Sequence, residues 1–245
     1  MIFDQPLQRA TLVRRYKRFL ADVIPADGAQ TTIHCPNTGG MTGCQGEGWR
    51  LWYTDSGNQK RKYPCTWQLV ENPAGELICI NSGLANRVVK EALLRGEVEA
   101  LDGFETLRAE VRYGEQGSRI DFLLEYPAEA DSVEGKRCYL EVKSLTLGLG
   151  EGLGVFPDAV TTRGQKHLQE LIAVRGRGDR AALLFCVQHT GVQRVSVARS
   201  VDPVYADLLE RAVAAGVEVM AYAVTIDPAQ SEIRLSGALP FSLSA

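Results

Sequence analysis

The chain has 245 residues, 45% of them hydrophobic and 23% charged, and a formal net charge of −3. This is the composition of an ordinary globular protein of one large or two small domains, and no apolar run reaches the roughly 20 residues that span a bilayer. The overall charge offers nucleic acid no general attraction, so any such contact must come from local basic clusters.

The opening residues, Met1 to Pro6, lack a basic segment followed by an apolar one, so no signal peptide is expected. Six cysteines are scattered without a Cys-x-x-Cys pair. That spacing argues against zinc and for free thiols in a cytoplasmic protein.

Leu12 to Val23 reads as one strand. It interleaves Arg14, Arg15, Lys17 and Arg18 with Tyr16 and Phe19, offering charge to phosphates and ring faces to bases. The plainer alternative is a solvated edge strand. Ile24 to Gly28 reads as a turn, and Thr31 to Cys35 as a short returning strand. The loop from Pro36 to Cys44 is rich in glycine, which permits close backbone approach to a ligand or simply a turn. It lacks the Gly-Lys-Ser/Thr ending of a nucleotide-binding P-loop. Strands follow at Trp49–Tyr53, Cys65–Val70 and Leu77–Ile80. Between the first two, Lys60, Arg61 and Lys62 precede Tyr63 as a second basic and aromatic cluster. Short strands separated by turn residues predict a small all-β barrel of the oligonucleotide-binding (OB) type over residues 1–82. Its candidate contacts with DNA, single- or double-stranded, are Arg15, Tyr16, Lys17, Arg18, Lys60, Arg61 and Lys62. No helix-turn-helix pattern is visible, so binding is expected to depend little on base sequence.

At Asn81-Ser82-Gly83 the composition shifts, and residues 83–245 form the second expected domain. Leu84 to Arg95 carries a helical apolar stripe closed by Gly96. Strands are expected near Leu107–Tyr113, Ser118–Glu125 and Cys138–Ser144. A helix follows at Thr161–Arg175, then a continuous apolar strand at Ala181–Val187, a helix at Val204–Ala215 and a strand at Val217–Val224. The order is α-β-β-β-α-β-α-β.

The second and third of these strands carry the chemistry. Residues two apart on a strand share a face. Ile120, Phe122 and Leu124 then make an apolar face, with Asp121 on the other beside Leu123. Leu140 and Val142 likewise leave Glu141 and Lys143 together. If the strands are neighbours, two carboxylates and an ammonium converge, a donor set suited to Mg²⁺ or Mn²⁺. The bland alternative is an amphipathic hairpin whose charges meet water. Glu110 shares its face with Arg108 and Arg112, as an ion-pair ladder or as a further carboxylate for the metal; Glu91 is a similar outside candidate. Arg119 shares the face of Asp121, either to pair with it or to reach a phosphate. On the following helix Lys166 is placed against phosphate, with Gln165 and His167 in support. Lys166 and His167 point about 100° apart, so at most one faces the site squarely.

The order of elements, with Asp121 and Glu141-Val142-Lys143 on successive strands, resembles the PD-(D/E)xK nuclease superfamily. That resemblance implies an α/β domain with a mixed sheet flanked by helices. It implies Asp121, Glu141 and the Val142 backbone carbonyl as metal ligands, and Lys143 as the group that orients the attacking water. Ile120 stands where the superfamily often has proline. A longer resemblance runs through Leu7–Ala10, Arg15–Asp22, His34–Gly39, Ser118–Phe122, Phe156–Thr161 and Arg163–Leu168. These blocks are similar to the bacterial sugar fermentation stimulation protein family. It implies a DNA-binding protein that regulates maltose and other sugar metabolism, with a barrel followed by a nuclease-like domain. Two functions then compete: a metal-dependent DNA phosphodiesterase, and a non-catalytic DNA-binding regulator that keeps the nuclease fold as a scaffold. The residues leave monomer and homodimer both open.

Overall fold

Strand segments with apolar side chains at every second position bury that face by closing on one another. In the computed structural model, which describes residues 1–26, 28–114, 117–127 and 136–244, the first eighty residues do this. The strands are β1 (Gln8–Tyr16), β2 (Leu20–Pro25), β3 (Thr31–His34), β4 (Arg50–Asp55), β5 (Cys65–Glu71) and β6 (Leu77–Cys79). They run in the order β3-β2-β1-β4-β5-β6, and β3 meets β5 through His34 and Thr66. Five strands therefore close into an OB-like barrel, with β6 added beside β5. Leu12, Val23, Ile33, Leu51 and Trp67 fill it. Asp27, in the turn expected at Ile24–Gly28, lies outside the described residues.

The strand expected from Leu12 to Val23 is in fact two. The chain reverses at Lys17 and Arg18, whose φ values are 49° and 66°. The reversal contains no glycine, asparagine or proline to mark it in the sequence.

The second unit begins with α1 (Leu84–Leu94) and a 3₁₀ turn at Glu99–Leu101. Then come β7 (Thr106–Tyr113), β8 (Ser118–Glu125), β9 (Arg137–Leu145), β10 (Leu153–Phe156), α2 (Thr162–Gly176), β11 (Arg180–Val187), β12 (Arg194–Val197) and α3 (Pro203–Ala214). The chain closes with β13 (Glu218–Asp227), β14 (Glu232–Leu239) and β15 (Phe241–Ser242). The main sheet has the order β14-β13-β11-β9-β8-β7. Its centre, β9, β11 and β13, is parallel, and the outer strands pair antiparallel. A small parallel sheet, β10-β12-β15, lies apart. The expected order is kept, with the short strands β10, β12 and β15 and the eight-residue edge strand β14 added.

Helix α1 packs Val88, Val89 and Leu93 against Phe122, Leu124 and Leu140 on one sheet face. On the other, Leu171 and Val174 of α2 and Leu209 of α3 meet Leu123, Tyr139 and Leu183. Strand β11 is covered on both faces, which is why its sequence is apolar without alternation. Cys79 N donates to Gln188 O (2.9 Å), and Leu69 and Cys79 join the α1-side core. The barrel and the mixed sheet thus share apolar packing. All six cysteines are free. Among the described residues, no helix is long and apolar enough to cross a membrane.

Candidate functional site

Asp121 sits where β8 leaves its neighbours on both sides. The β8–β9 ladder stops at Phe122 and Leu140, and Asp121 is the position missing from the otherwise continuous β7–β8 ladder. Opposite the gap, Glu110 has a φ of 53°. A local break of this kind re-aims a side chain. The Asp121 carboxylate accepts from Asn86 Nδ2 on α1 and from Val142 N on β9, each at 2.8 Å. Phe122 and Leu124 line the α1 side as expected, but Ile120 packs in the opposite cluster with Leu123 and Tyr139. The predicted face is therefore broken at the aspartate itself.

Glu141 is 2% exposed. Its Oε1 accepts from Lys143 Nζ at 2.6 Å and from His167 Nδ1 on α2. Arg163 Nε donates to His167 Nε2 at 3.4 Å, which leaves the ring proton on Nδ1, facing Glu141. Lys143 Nζ lies 3.2 Å from the same Nδ1. Among the described residues, Glu141 Oε2 is buried and has no hydrogen-bond partner.

The two carboxylates are pushed apart electrostatically. Burial raises the Asp121 carboxyl above its usual range, and the Glu141 charge adds to it; Val142 N–H, Asn86 and Lys143 oppose this without cancelling it. Burial also works against ionised Glu141, but His167 and Lys143 outweigh it and hold that group below its usual range. Two acids whose charges act on each other, one with an unpartnered buried oxygen, are suited to share a cation. Among the described residues no group of three His, Cys, Asp or Glu forms a metal cluster. A cation here would rely on these two carboxylates, one backbone carbonyl, water and a ligand's own oxygens, which is how Mg²⁺ is commonly held. A strand residue's N–H and C=O point to one side. Since Val142 N reaches Asp121, its carbonyl faces the same gap.

Several residues singled out in the sequence are employed otherwise. Gln165 donates to both oxygens of Asp202 at 3.0 and 3.1 Å, bracing α2 against α3. Arg15 Nη2 donates to the carbonyls of Arg18, Asn37 and Gly39 at 2.8–2.9 Å, holding the glycine-rich loop to the first hairpin. The Tyr16 ring is faced by the Arg14 guanidinium 5.1 Å from its centroid. Glu110 is exposed on the edge strand, and Glu91 pairs with the Met1 amino group and Arg95. Partners far away in sequence claim Gln165, Arg15 and Glu91, while Tyr16 is covered by a near neighbour and Glu110 stays in solvent. Arg119 is exposed two residues before Asp121, and Lys166 is half-buried beside His167. Asn86 escaped notice because it flanks the α1 apolar stripe as an ordinary polar residue.

Lys17 and Arg18 are exposed at the β1–β2 turn, and Lys60, Arg61 and Lys62 are exposed between β4 and β5. In OB barrels these two loops flank the face that takes oligonucleotides. Barrel closure brings them together: Leu20 pairs with His34, His34 with Thr66, and Thr66 with Thr54. Burial, and after it the Arg61 charge, hold the His34 imidazole below its usual range, which sets Arg61 of the second basic loop near β3.

Comparison with known proteins follows the same division. The family model described as SfsA N-terminal OB domain matches residues 13–80, and the Sugar fermentation stimulation protein RE domain model matches residues 83–230. The solved structure of Pyrococcus furiosus SfsA in complex with Ca²⁺ is similar over 99% of this chain and 98% of that one. The TM-score is 0.84 at 26% sequence identity. The chain belongs to the sugar fermentation stimulation protein family.

Proposed function

We propose that the chain is a metal-dependent phosphodiesterase that acts on DNA with little regard to base sequence. The observation that carries this reading is Glu141 Oε2, buried without a partner beside Asp121. A buried, unpaired carboxylate oxygen is costly unless something occupies it. Asp121, Glu141 and the Val142 carbonyl would hold Mg²⁺ or Mn²⁺. The bound ion would polarise the phosphate and lower the pKa of its water. The Ca²⁺ in the Pyrococcus relative supports a hard, oxygen-seeking ion.

The chain's own groups position the rest. Asn86 and Val142 N fix the Asp121 carboxylate. His167 and Lys143 engage Glu141 Oε1, which leaves Oε2 for the ion. Lys143, 14% exposed at its side chain, is placed to orient water and to offset charge on the phosphate. Arg119 and Lys166 flank this centre as phosphate contacts. Lys17, Arg18 and Lys60 to Lys62 hold the strand through its backbone, a contact blind to sequence. The free cysteines support a cytoplasmic setting.

One observation favours a second reading. Glu141, Lys143 and His167 already satisfy one another in part, as a structural cluster in a non-catalytic regulator would. Purified protein on single- and double-stranded DNA with Mg²⁺ or Mn²⁺ separates the two. Cleavage is expected, and Asp121→Ala and Lys143→Ala should each reduce it by about 10²–10³-fold or more while DNA binding in EDTA persists. Binding without cleavage under any metal leaves the regulator.

A further inference from the structure

Two of the sequence blocks, His34–Gly39 and Phe156–Thr161, play no part in the chemistry above. They face each other across a cavity of about 140 Å³ between the glycine-rich loop and the mixed sheet. Its polar walls are Asn37, Ser82, Ser144, Thr146 and Asp158, with the backbone of Gly39. Phe156 adds a ring, itself wedged 5.5 Å from Phe185 and 5.3 Å from Tyr205, centroid to centroid. At about 30 Å³ per water, the space takes four or five waters or one ring-sized group.

The wall chemistry selects the occupant. Hydroxyls, one amide and one carboxylate converge, and among the described residues no lysine or arginine lines the cavity. Such a set matches a neutral ring that carries hydrogen-bond donors, and it disfavours a phosphate. Ser144 Oγ donates to Gln188 Oε1 at 2.5 Å, so its lone pairs are free to accept. Among the described residues, the amide nitrogen of Gln188 behind it is buried and lacks a partner.

The cavity is also pre-formed. Asn37 Oδ1 accepts from Gly39 N at 2.8 Å, and Arg15 holds the carbonyls of both residues. Cys44 Sγ fastens the far end of the loop to Thr146 O at 3.7 Å. A Cβ on Gly39 would lie 3.0 Å from Asn37 Oδ1 and 3.4 Å from Asp158 Oδ2, so only a bare backbone leaves the space open.

Its link to the proposed centre runs along the α1 side of the sheet, where Asp121 is held. Ser144 shares a β9 face with Val142, whose N–H binds Asp121, with Lys143 on the opposite face. Ser82 lies just before α1, four residues ahead of Asn86, which also holds Asp121. We infer that this cavity is a base subsite: it receives the single ring of a base from the strand whose phosphate is held at Asp121 and Glu141. The inference rests on the nucleic-acid reading above, and it makes the substrate a strand with unpaired bases at the point of attack.

The test uses the full chain without metal and thymidine as probe, read by saturation-transfer NMR, so no cleavage is needed. Transfer to the base protons is expected, stronger than to those of the sugar. Gly39→Val should abolish it by filling the cavity. Asp158→Ala should weaken it about tenfold, as loss of one hydrogen bond to a charged group does, and it serves should Gly39→Val fail to fold. No transfer, transfer unchanged in either folded variant, or transfer to glucose in place of thymidine overturns the subsite. Thymidine binding together with failure to cleave DNA under any metal keeps the subsite and removes the hydrolase. Cleavage without thymidine binding does the reverse.

Discussion

The charges of the barrel loops and those at the break in β8 are opposite in design. Lys17, Arg18, Lys60, Arg61 and Lys62 stand in water on turns, where each acts alone and at a range set by salt. Asp121, Glu141 and Lys143 are drawn into the protein, where each depends on the others and on Asn86 and His167. Exposed charges can be removed singly with little structural consequence. Removing one of a buried pair strands its partner. The contrast separates a surface that attracts from a centre that must be assembled.

The largest effect that sharpens this contrast is on stability at the centre. Lys143→Met removes the ammonium and leaves Glu141, 3% exposed at its side chain, with less to balance its charge. The folded state without metal should lose about 3–5 kcal/mol, measured by urea unfolding. A loss below about 1 kcal/mol would mean that Glu141 does not rely on Lys143, and the contrast with the loops would collapse.

An intermediate effect is expected at Asp202, which caps α3. Its carboxylate accepts from Tyr205 N, Thr161 N and Gln165, and it is 1% exposed. Asp202→Ala should cost about 1–3 kcal/mol near neutral pH. Burial tends to raise this carboxyl, but its hydrogen bonds hold it below the usual range. A depressed folded pKa means that the contribution is complete above the unfolded value, about 3.9, and is lost as pH falls through the folded one. Melting curves of wild type and variant should therefore converge below about pH 4. Curves that stay parallel down to pH 2 would show that the charge is not what matters there.

The smallest structural effect belongs to the loops. Changing Lys60, Arg61 and Lys62 together to Ala should move stability by no more than about 0.5 kcal/mol. The same variant should bind DNA less tightly and with a salt dependence shallower by roughly 2–3 in log–log slope. An unaltered slope would place the binding face elsewhere on the barrel.

Much of the second unit could be read from its residues. The apolar stripe of Leu84–Arg95, the unbroken run Ala181–Val187 and the pair of charged strands each carry a period or a composition that one element alone satisfies. The first hairpin was hidden because Lys17 and Arg18 adopt left-handed backbone without the residues that usually announce it. The face of Ile120 was misplaced because alternation assumes an unbroken ladder, and the ladder breaks at Asp121. Gln165 and Arg15 looked free for a ligand in the sequence and are bound to Asp202 and to the Asn37–Gly39 loop in the fold.

The order of residues by itself determined most of which segments extend or coil, and that two acids and a lysine stand on strands successive in sequence. Those are local properties, set by periods of two or 3.6 residues. Only the tertiary structure decided who meets whom. Asn86 is 35 positions from Asp121 and His167 is 26 from Glu141, and both contacts exist because helices on opposite sheet faces converge at one strand break. Whether a charged group is a ligand, a brace or a solvated surface depends on its partners in space, and pattern along the chain does not encode them.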